Sequence, residues 1–240
     1  MASLEVFGID GIAEVTRGSD LAAMIGTAAA AANPLADGDV VVVTQKVVSK
    51  AEGAMAEVDP DDPLSHKPLV ESQSVRILRR RGDLIISETE HGFVCANAGI
   101  DLSNVARGEA ALLPEDPDRS ARRIRDGLRG VCGVDVAVIV SDTFGRPWRR
   151  GVTDVAIGCA GIRAVVDLRG THDAYGRELQ VTEVAVVDEI AAAAELVMGK
   201  SDGVPAAVVR GVESGWLLGA GERSGVVSDV VRSPAEDLFR

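Results

Sequence analysis

A chain of 240 residues exceeds one average domain without forcing two, and 46% hydrophobic content with only 3% aromatics means that any core is built from Val, Ile, Leu and Ala. A formal net charge of −12 sets the overall field against nucleic acid and anionic membrane, so a phosphate-bearing ligand must meet a local cluster of donors or a metal ion. Cys95, Cys132 and Cys159 are widely spaced, with no CxxC and no partnering histidines, which argues against a disulfide framework or a zinc site; with no basic start and no long apolar run, a soluble, cytoplasmic protein is expected.

LEVFGI (4–9) has strand character, and GSDLAAMIGTAAAAAN (18–33) reads as a helix with Ser19 or Asp20 as its N-cap. VVVVTQKVVSK (40–50) predicts a strand buried on both faces, with a polar crossing at Thr44, Gln45 and Lys46. AEVDPDDPLSHKP (56–68), polar and broken by proline, predicts a loop, and LVESQSVRILRRR (69–81) a helix with Val70, Val75, Ile77 and Leu78 on or near one face. DLIISETEHGFVCANAGI (83–100) predicts two short strands meeting at ETEHG.

DPDRSARRIRDGLRG (116–130) reads as a helix whose acidic start and arginine-rich body complement its dipole, followed by a strand, VDVAVIVSD (134–142), that ends at Asp142. DVAIGCAGIRAVVDLRG (154–170) is strand-like, VTEVAVVDEIAAAAELVMGK (181–200) a long helix and PAAVVRG (205–211) a final strand. Strands and helices alternate without a strict βαβ rhythm, so the expected class is α+β: mixed sheets with flanking helices, in one domain over 1–240 or in two lobes.

Asp101 in NAGIDLSNV and Asp142 in VSDTFGR follow strand-like segments among small residues. Two such carboxylates converging with the Thr143 hydroxyl would form an all-oxygen site for Mg2+ or Mn2+, whereas each alone would cap a turn; spacing does not pair them. Lys46 and Lys50, flanking Ser49, either hold phosphate oxygens or keep a strand edge solvated. Arg146, Arg149 and Arg150 beside Trp148 offer planar donors to carboxylates or phosphates, or form an exposed basic loop held by acidic neighbours such as Asp154. His66, His91 and His172 lack metal spacing, with His91 a neighbour of the site at most. GAGERSG (219–225) lacks the dinucleotide spacing, and no GxxxxGK[ST] loop exists.

Four ordered blocks, DGDVVVVTQKVVSKAEG, NAGIDLSNV, VSDTFGRPWRRGVTDVAIGCAG and TEVAVVDEIAAAAELVMGK, resemble the coenzyme F-420 gamma-glutamyl ligases over nearly the full length. The resemblance implies an enzyme that joins L-glutamate to the lactyl carboxylate of a deazaflavin phosphodiester through an acyl phosphate, using GTP and a divalent metal (Mg2+ or Mn2+, with K+ as a further cation) and adding further gamma-linked glutamates. It implies a family-specific α+β fold assembled as an interwoven homodimer.

By the same resemblance Asp101 and Asp142 hold one metal, Thr143 a second, and Glu213, in the loop after VVRG, supplies another carboxylate. Asn104, Gln45, Lys50 and the segment Ile12, Ala13, Glu14, Val15 contact the nucleotide. With SPAEDLFR at its end the chain is similar to the stand-alone ligases, which bind no flavin. The competing readings are a metal-dependent phosphotransferase or phosphohydrolase with another acceptor, and a non-catalytic binding module.

Overall fold

Four consecutive valines of the second strand are fully buried, and the strands beside it are equally apolar, so the chain organises around a sheet covered on both faces. The computed structural model describes residues 3–219 and 221–237. The flanks of the first and last quoted segments, at 1–2 and 238–240, and Ala220 within GAGERSG lie outside the described residues.

In chain order come β1 (Glu5–Gly8), α1 (Leu21–Ala32), β2 (Val40–Thr44), α2 (Gln45–Glu52), β3 (Met55–Glu57), α3 (Lys67–Ser72), β4 (Arg76–Arg81), β5 (Leu84–Glu88) and β6 (Val94–Ala96). The second half runs β7 (Glu109–Ala111), α4 (Pro117–Cys132), β8 (Ala137–Gly145), β9 (Val152–Ala160), β10 (Val166–Asp167), β11 (Glu183–Val184), α5 (Val186–Met198), β12 (Ala206–Arg210) and α6 (Val226–Asp229). The main sheet has the order β1-β12-β2-β8-β9, with β2 and β8 parallel and the other neighbours antiparallel. Helices α1, α4 and α5 contribute Ile25, Leu128, Ala191 and Met198 to the core around it. The small sheets β4-β5-β6, β3-β7 and β10-β11 stand beside this layer, giving the mixed α+β class that the segment order predicts.

Three expectations change. The valine strand stops at Thr44 and Gln45–Glu52 is helical: Gln45 and Ser49, four residues apart, share a buried face, and Gly53 closes the helix at φ 74°, donating its N–H to the Lys50 and Ser49 carbonyls. The segment 69–81 is a short helix followed by an exposed strand. Ser74 Oγ donates to the Val70 carbonyl at 2.6 Å, and Gly82 at φ 57° turns β4 back onto β5, where Arg76 pairs with Glu88 at 3.1 Å. All six residues of β4 are exposed, so the apolar spacing there has no helical face to bury.

The third change matters most for the site. Strand β8 does not end at Asp142 but runs to Gly145. Its pairing with β2 stops at Ser141 opposite Thr44, whereas its pairing with β9 continues to Gly145 opposite Val152, with a register shift between Val140 and Ser141. Beyond the sheet edge, β8 and β9 therefore form a two-stranded arm that carries Asp142 and Thr143.

Candidate active site

Where β2 and β8 reach their carboxyl ends side by side, a cleft of about 940 Å3 opens. Open sheets with parallel strands commonly bind ligands at this edge, because the strand ends are fixed while the following segments diverge. Its walls are the 12–15 segment, the first turns of α2, the Asp101–Ala106 loop, the β8–β9 arm, and the Gly199–Pro205 loop between α5 and β12. Ile12, Ala13, Glu14, Val15, Gln45, Lys50, Asp101, Asn104, Asp142 and Thr143 all line it. Residues as far apart in sequence as Ile12 and Pro205 thus converge on one cavity.

Each wall is held by its own polar contacts. Gln45 is 1% exposed; its Nε2 donates to Ser49 Oγ at 2.7 Å and to the Leu112 carbonyl at 2.6 Å, so its amide nitrogen anchors α2. Lys50 Nζ reaches Glu14 Oε1 at 2.6 Å and ties α2 to the 12–15 segment. Lys46 Nζ sits 2.8 Å from both Asp101 Oδ2 and Ser103 Oγ, while Asp101 Oδ1 accepts from the Ser103 N–H at 2.7 Å. Burial would raise the Asp101 pKa, but the hydrogen bonds from Lys46 and Ser103 outweigh it and the carboxyl lies below its ordinary value. Asn104, at φ 52°, donates from Nδ2 to the Lys200 carbonyl at 3.2 Å and joins two walls.

Asp142 is under the opposite stress. Desolvation, with the Asp101 and Asp154 carboxylates adding to it, pushes its pKa up to about 7; the Thr143 N–H, 2.8 Å from Oδ1, and the charge of Lys200 only partly offset this. Behind it the Cys95 thiol is pushed up to about 12 by burial and by the charge of Asp142, which makes it an inert packing residue.

Opposite Thr143 on the arm stands Asp154, 2% exposed, accepting from Thr143 Oγ1 at 2.6 Å and Ser141 Oγ at 3.1 Å. Lys200 Nζ approaches Asp154 Oδ1 at 3.0 Å and Glu195 Oε1 at 2.8 Å, and it donates to Thr143 Oγ1. Burial would lower the Lys200 pKa; its hydrogen bonds to Glu195 and Asp154 raise it overall.

The residues fit a cation at Asp101 and Asp142, since the half-buried Asp142 carboxylate has a like charge nearby and accepts its own neighbour's N–H on Oδ1. Among the described residues no group of three or more His, Cys, Asp and Glu side chains is gathered as a protein-only cage. Mg2+-type sites are built that way, with one or two carboxylates and the remaining ligands from water and substrate phosphates.

The structure does not bring Glu213 to the cleft. Strand β12 runs antiparallel to β2, with Val209 opposite Val40, so the loop that follows it emerges at the far edge of the sheet. The loop before β12 is the one that lines the cleft. The tip carrying Arg146, Arg149 and Arg150 lies outside the lining; Arg146 Nη2 donates to the Arg150 carbonyl at 3.2 Å, and Trp148 is 84% exposed at φ 59°. His91 also stands off, its Nε2 against the Pro114 and Glu115 carbonyls and its ring stacked on Phe93.

Lys200, Asp154 and Glu195 are the functional candidates that sequence reasoning missed. Asp154 could have been found by laying GVTDVAIG antiparallel to VSDTFG, and Lys200 by noting that LVMGK ends a helix at glycine.

Comparison with known proteins decides the family. Residues 11–211 match the model described as F420-0:Gamma-glutamyl ligase. The chain belongs to the F420-0:gamma-glutamyl ligase family. Within it, the chain is 44% identical over 242 residues to the coenzyme F420:L-glutamate ligase of Methanopyrus kandleri, covering 95% of this chain and 94% of that one. It is also 44% identical over 253 residues to the protein of that name from Methanothermobacter thermautotrophicus (99% of each chain), and 38% identical over 224 residues to that of Methanocaldococcus jannaschii (86% of each). The family match spans every wall of the cleft. Among the described residues no helix is long and apolar enough to cross a membrane.

Proposed function

We propose that this chain ligates L-glutamate to the carboxylate of a deazaflavin phosphodiester, driven by GTP, with the cleft at the β2 and β8 strand ends as the active site. The observation that supports the reading most is the convergence of Asp101 and Asp142 on one cavity with the nucleotide positions implied by the resemblance. The relatives' names supply the acceptor and the amino acid.

A carboxylate is a poor electrophile, and the amide bond is uphill in water, so the acceptor must be activated. Transfer of the GTP γ-phosphoryl to a carboxylate oxygen gives an acyl phosphate and GDP. The glutamate amine then attacks the acyl carbon, an amide forms, phosphate leaves with the C–O electron pair, and the amine proton passes to solvent or a base.

In this scheme Lys50 exchanges Glu14 for a phosphate oxygen, and the 12–15 segment and Asn104 position the nucleotide. Asp101 and Asp142 would hold a divalent cation, which when bound supplies charge neutralisation at the triphosphate. Asp142 suits this work because its strand is fixed by β9 as far as Gly145 and by β2 as far as Ser141. Further gamma-linked glutamates would follow if the product's terminal carboxylate re-enters the acceptor position.

Mass spectrometry of the acceptor after incubation with GTP, Mn2+ and L-glutamate tests the reading. A product heavier by one or more glutamyl residues, formed only when all three are present, is expected. GTP hydrolysis independent of glutamate and acceptor would instead indicate a phosphohydrolase.

A further inference from the structure

The tip of the β8–β9 arm has no task in the chemistry described so far. Arg146, Arg149 and Arg150 set three guanidinium groups in five consecutive positions, in a chain of net charge −12. Among the described residues none of the three forms an ion pair: Arg146 Nη2 donates to the Arg150 carbonyl at 3.2 Å, closing the turn from within, and Arg149 and Arg150 are exposed. Asp154, the acidic neighbour in sequence, is engaged by Lys200, Thr143 and Ser141 instead.

Between these arginines Trp148 is 84% exposed at φ 59°, a left-handed conformation that strains a bulky residue. A chain with two tryptophans thus holds one of them out in solvent, where glycine would make the turn without strain. The arm beneath is fixed, paired with β9 as far as Gly145 and with Phe144 edge-on to Phe93 at 6.2 Å. Stability accounts for neither the clustered charge nor the presented ring.

From root to tip the arm carries Asp142 and Thr143 in the cleft, then the guanidinium groups, then the indole. The acceptor of the proposed function has the same order: a reacting carboxylate, an anionic phosphodiester, and a planar deazaflavin ring. Three strand steps, about 10 Å, separate Asp142 from Gly145, a distance that one small molecule can span.

We propose that the arm tip is the acceptor's binding platform, with the Trp148 indole stacked on the deazaflavin ring and the Arg149 and Arg150 guanidinium groups on the phosphodiester. The inference rests on the ligase reading of the cleft.

The test is equilibrium binding of the acceptor to the intact chain without GTP, read by deazaflavin fluorescence, beside a probe that keeps the ring and lacks the phosphodiester. Trp148→Ala should weaken both ligands by about tenfold or more, and Trp148→Phe should restore them. Arg149→Ala/Arg150→Ala should weaken the acceptor by about tenfold or more and leave the ring probe unchanged. In turnover the KM for the acceptor should rise by the same factor, with kcat held within about twofold and the KM for GTP and glutamate unchanged. In wild type alone, added NaCl should weaken the acceptor and spare the ring probe.

Folded variants that bind the acceptor as wild type does, or a rise in the KM for glutamate in place of the acceptor, overturn the proposal. Acceptor binding in wild type that ignores salt does so even where a variant fails to fold. No acceptor binding in wild type overturns it together with the proposed function, whereas tip-dependent binding without ligation overturns that function alone.

Discussion

Placing Asp142 one residue beyond the last β2 partner, with Asp101 and Asp154 around it, loads a desolvated carboxylate with repulsion from two others. Its pKa of about 7 in the folded chain stands above the ordinary value of about 3.9 expected on unfolding, so the folded state binds the extra proton between those limits. This contribution to stability is present below about pH 4 and is lost as the pH rises through about 7. Asp142→Asn should therefore melt higher than wild type at pH 8 without metal, with the gap closing at pH 4, while ligation falls by about a thousandfold or more through lost charge stabilisation. Thermal melts at the two pH values and single-turnover assays check both halves; a gap that widens at pH 4 would refute the linkage. For Lys50→Ala, whose lysine already bridges α2 to Glu14, weaker GTP binding by about 1–3 kcal/mol is expected by calorimetry.

At the scale of elements, the junction of α4 with β9 is the tightest fixed point near the arm. A Cβ on Gly158 would stand 2.3 Å from the Pro117 carbonyl, and next to it Asp118 accepts the Cys159 N–H at 2.8 Å and the Val226 N–H at 2.9 Å. Gly158→Ala should push α4 off the sheet and cost about 1–3 kcal/mol or more, measured by urea denaturation. This junction was not legible in the sequence, since a glycine in a strand-like run signals close approach without saying to what. The buried strands β2, β8 and β12 and the capped helices α1 and α4 were legible, because runs of Val and Ile and caps such as Asp20 and Asp116 act locally. Helix α2 was hidden behind its valines, and β4 looked helical because Val75, Ile77 and Leu78 fit either period over so short a span. Of the cleft, the resemblance made Asp101, Asp142 and Thr143 readable, whereas Lys200 and Asp154 depend on the pairing of β8 with β9 and on where α5 ends.

For the whole molecule, we propose the β4 edge as the seam of the homodimer that the resemblance implies. Among the described residues strand β4 pairs only with β5 and all its residues are exposed, and Val75 just before it with Ile77 and Leu78 presents apolar surface there. An unpaired edge of this kind invites a second chain. Sedimentation equilibrium should give a dimer for wild type and a monomer for Val75→Asp/Ile77→Asp; an unchanged dimer would move the seam elsewhere.

The register shift in β8–β9 has a chemical consequence. Val140 faces Gly158 and Ser141 faces Ala156, which leaves Ile157 without a counterpart. An unbroken ladder would have set Val155 across from Thr143, and the arm would present aliphatic carbon where it now presents an oxyacid. A single surplus isoleucine thus phases the whole ribbon and decides whether it can handle charge at all.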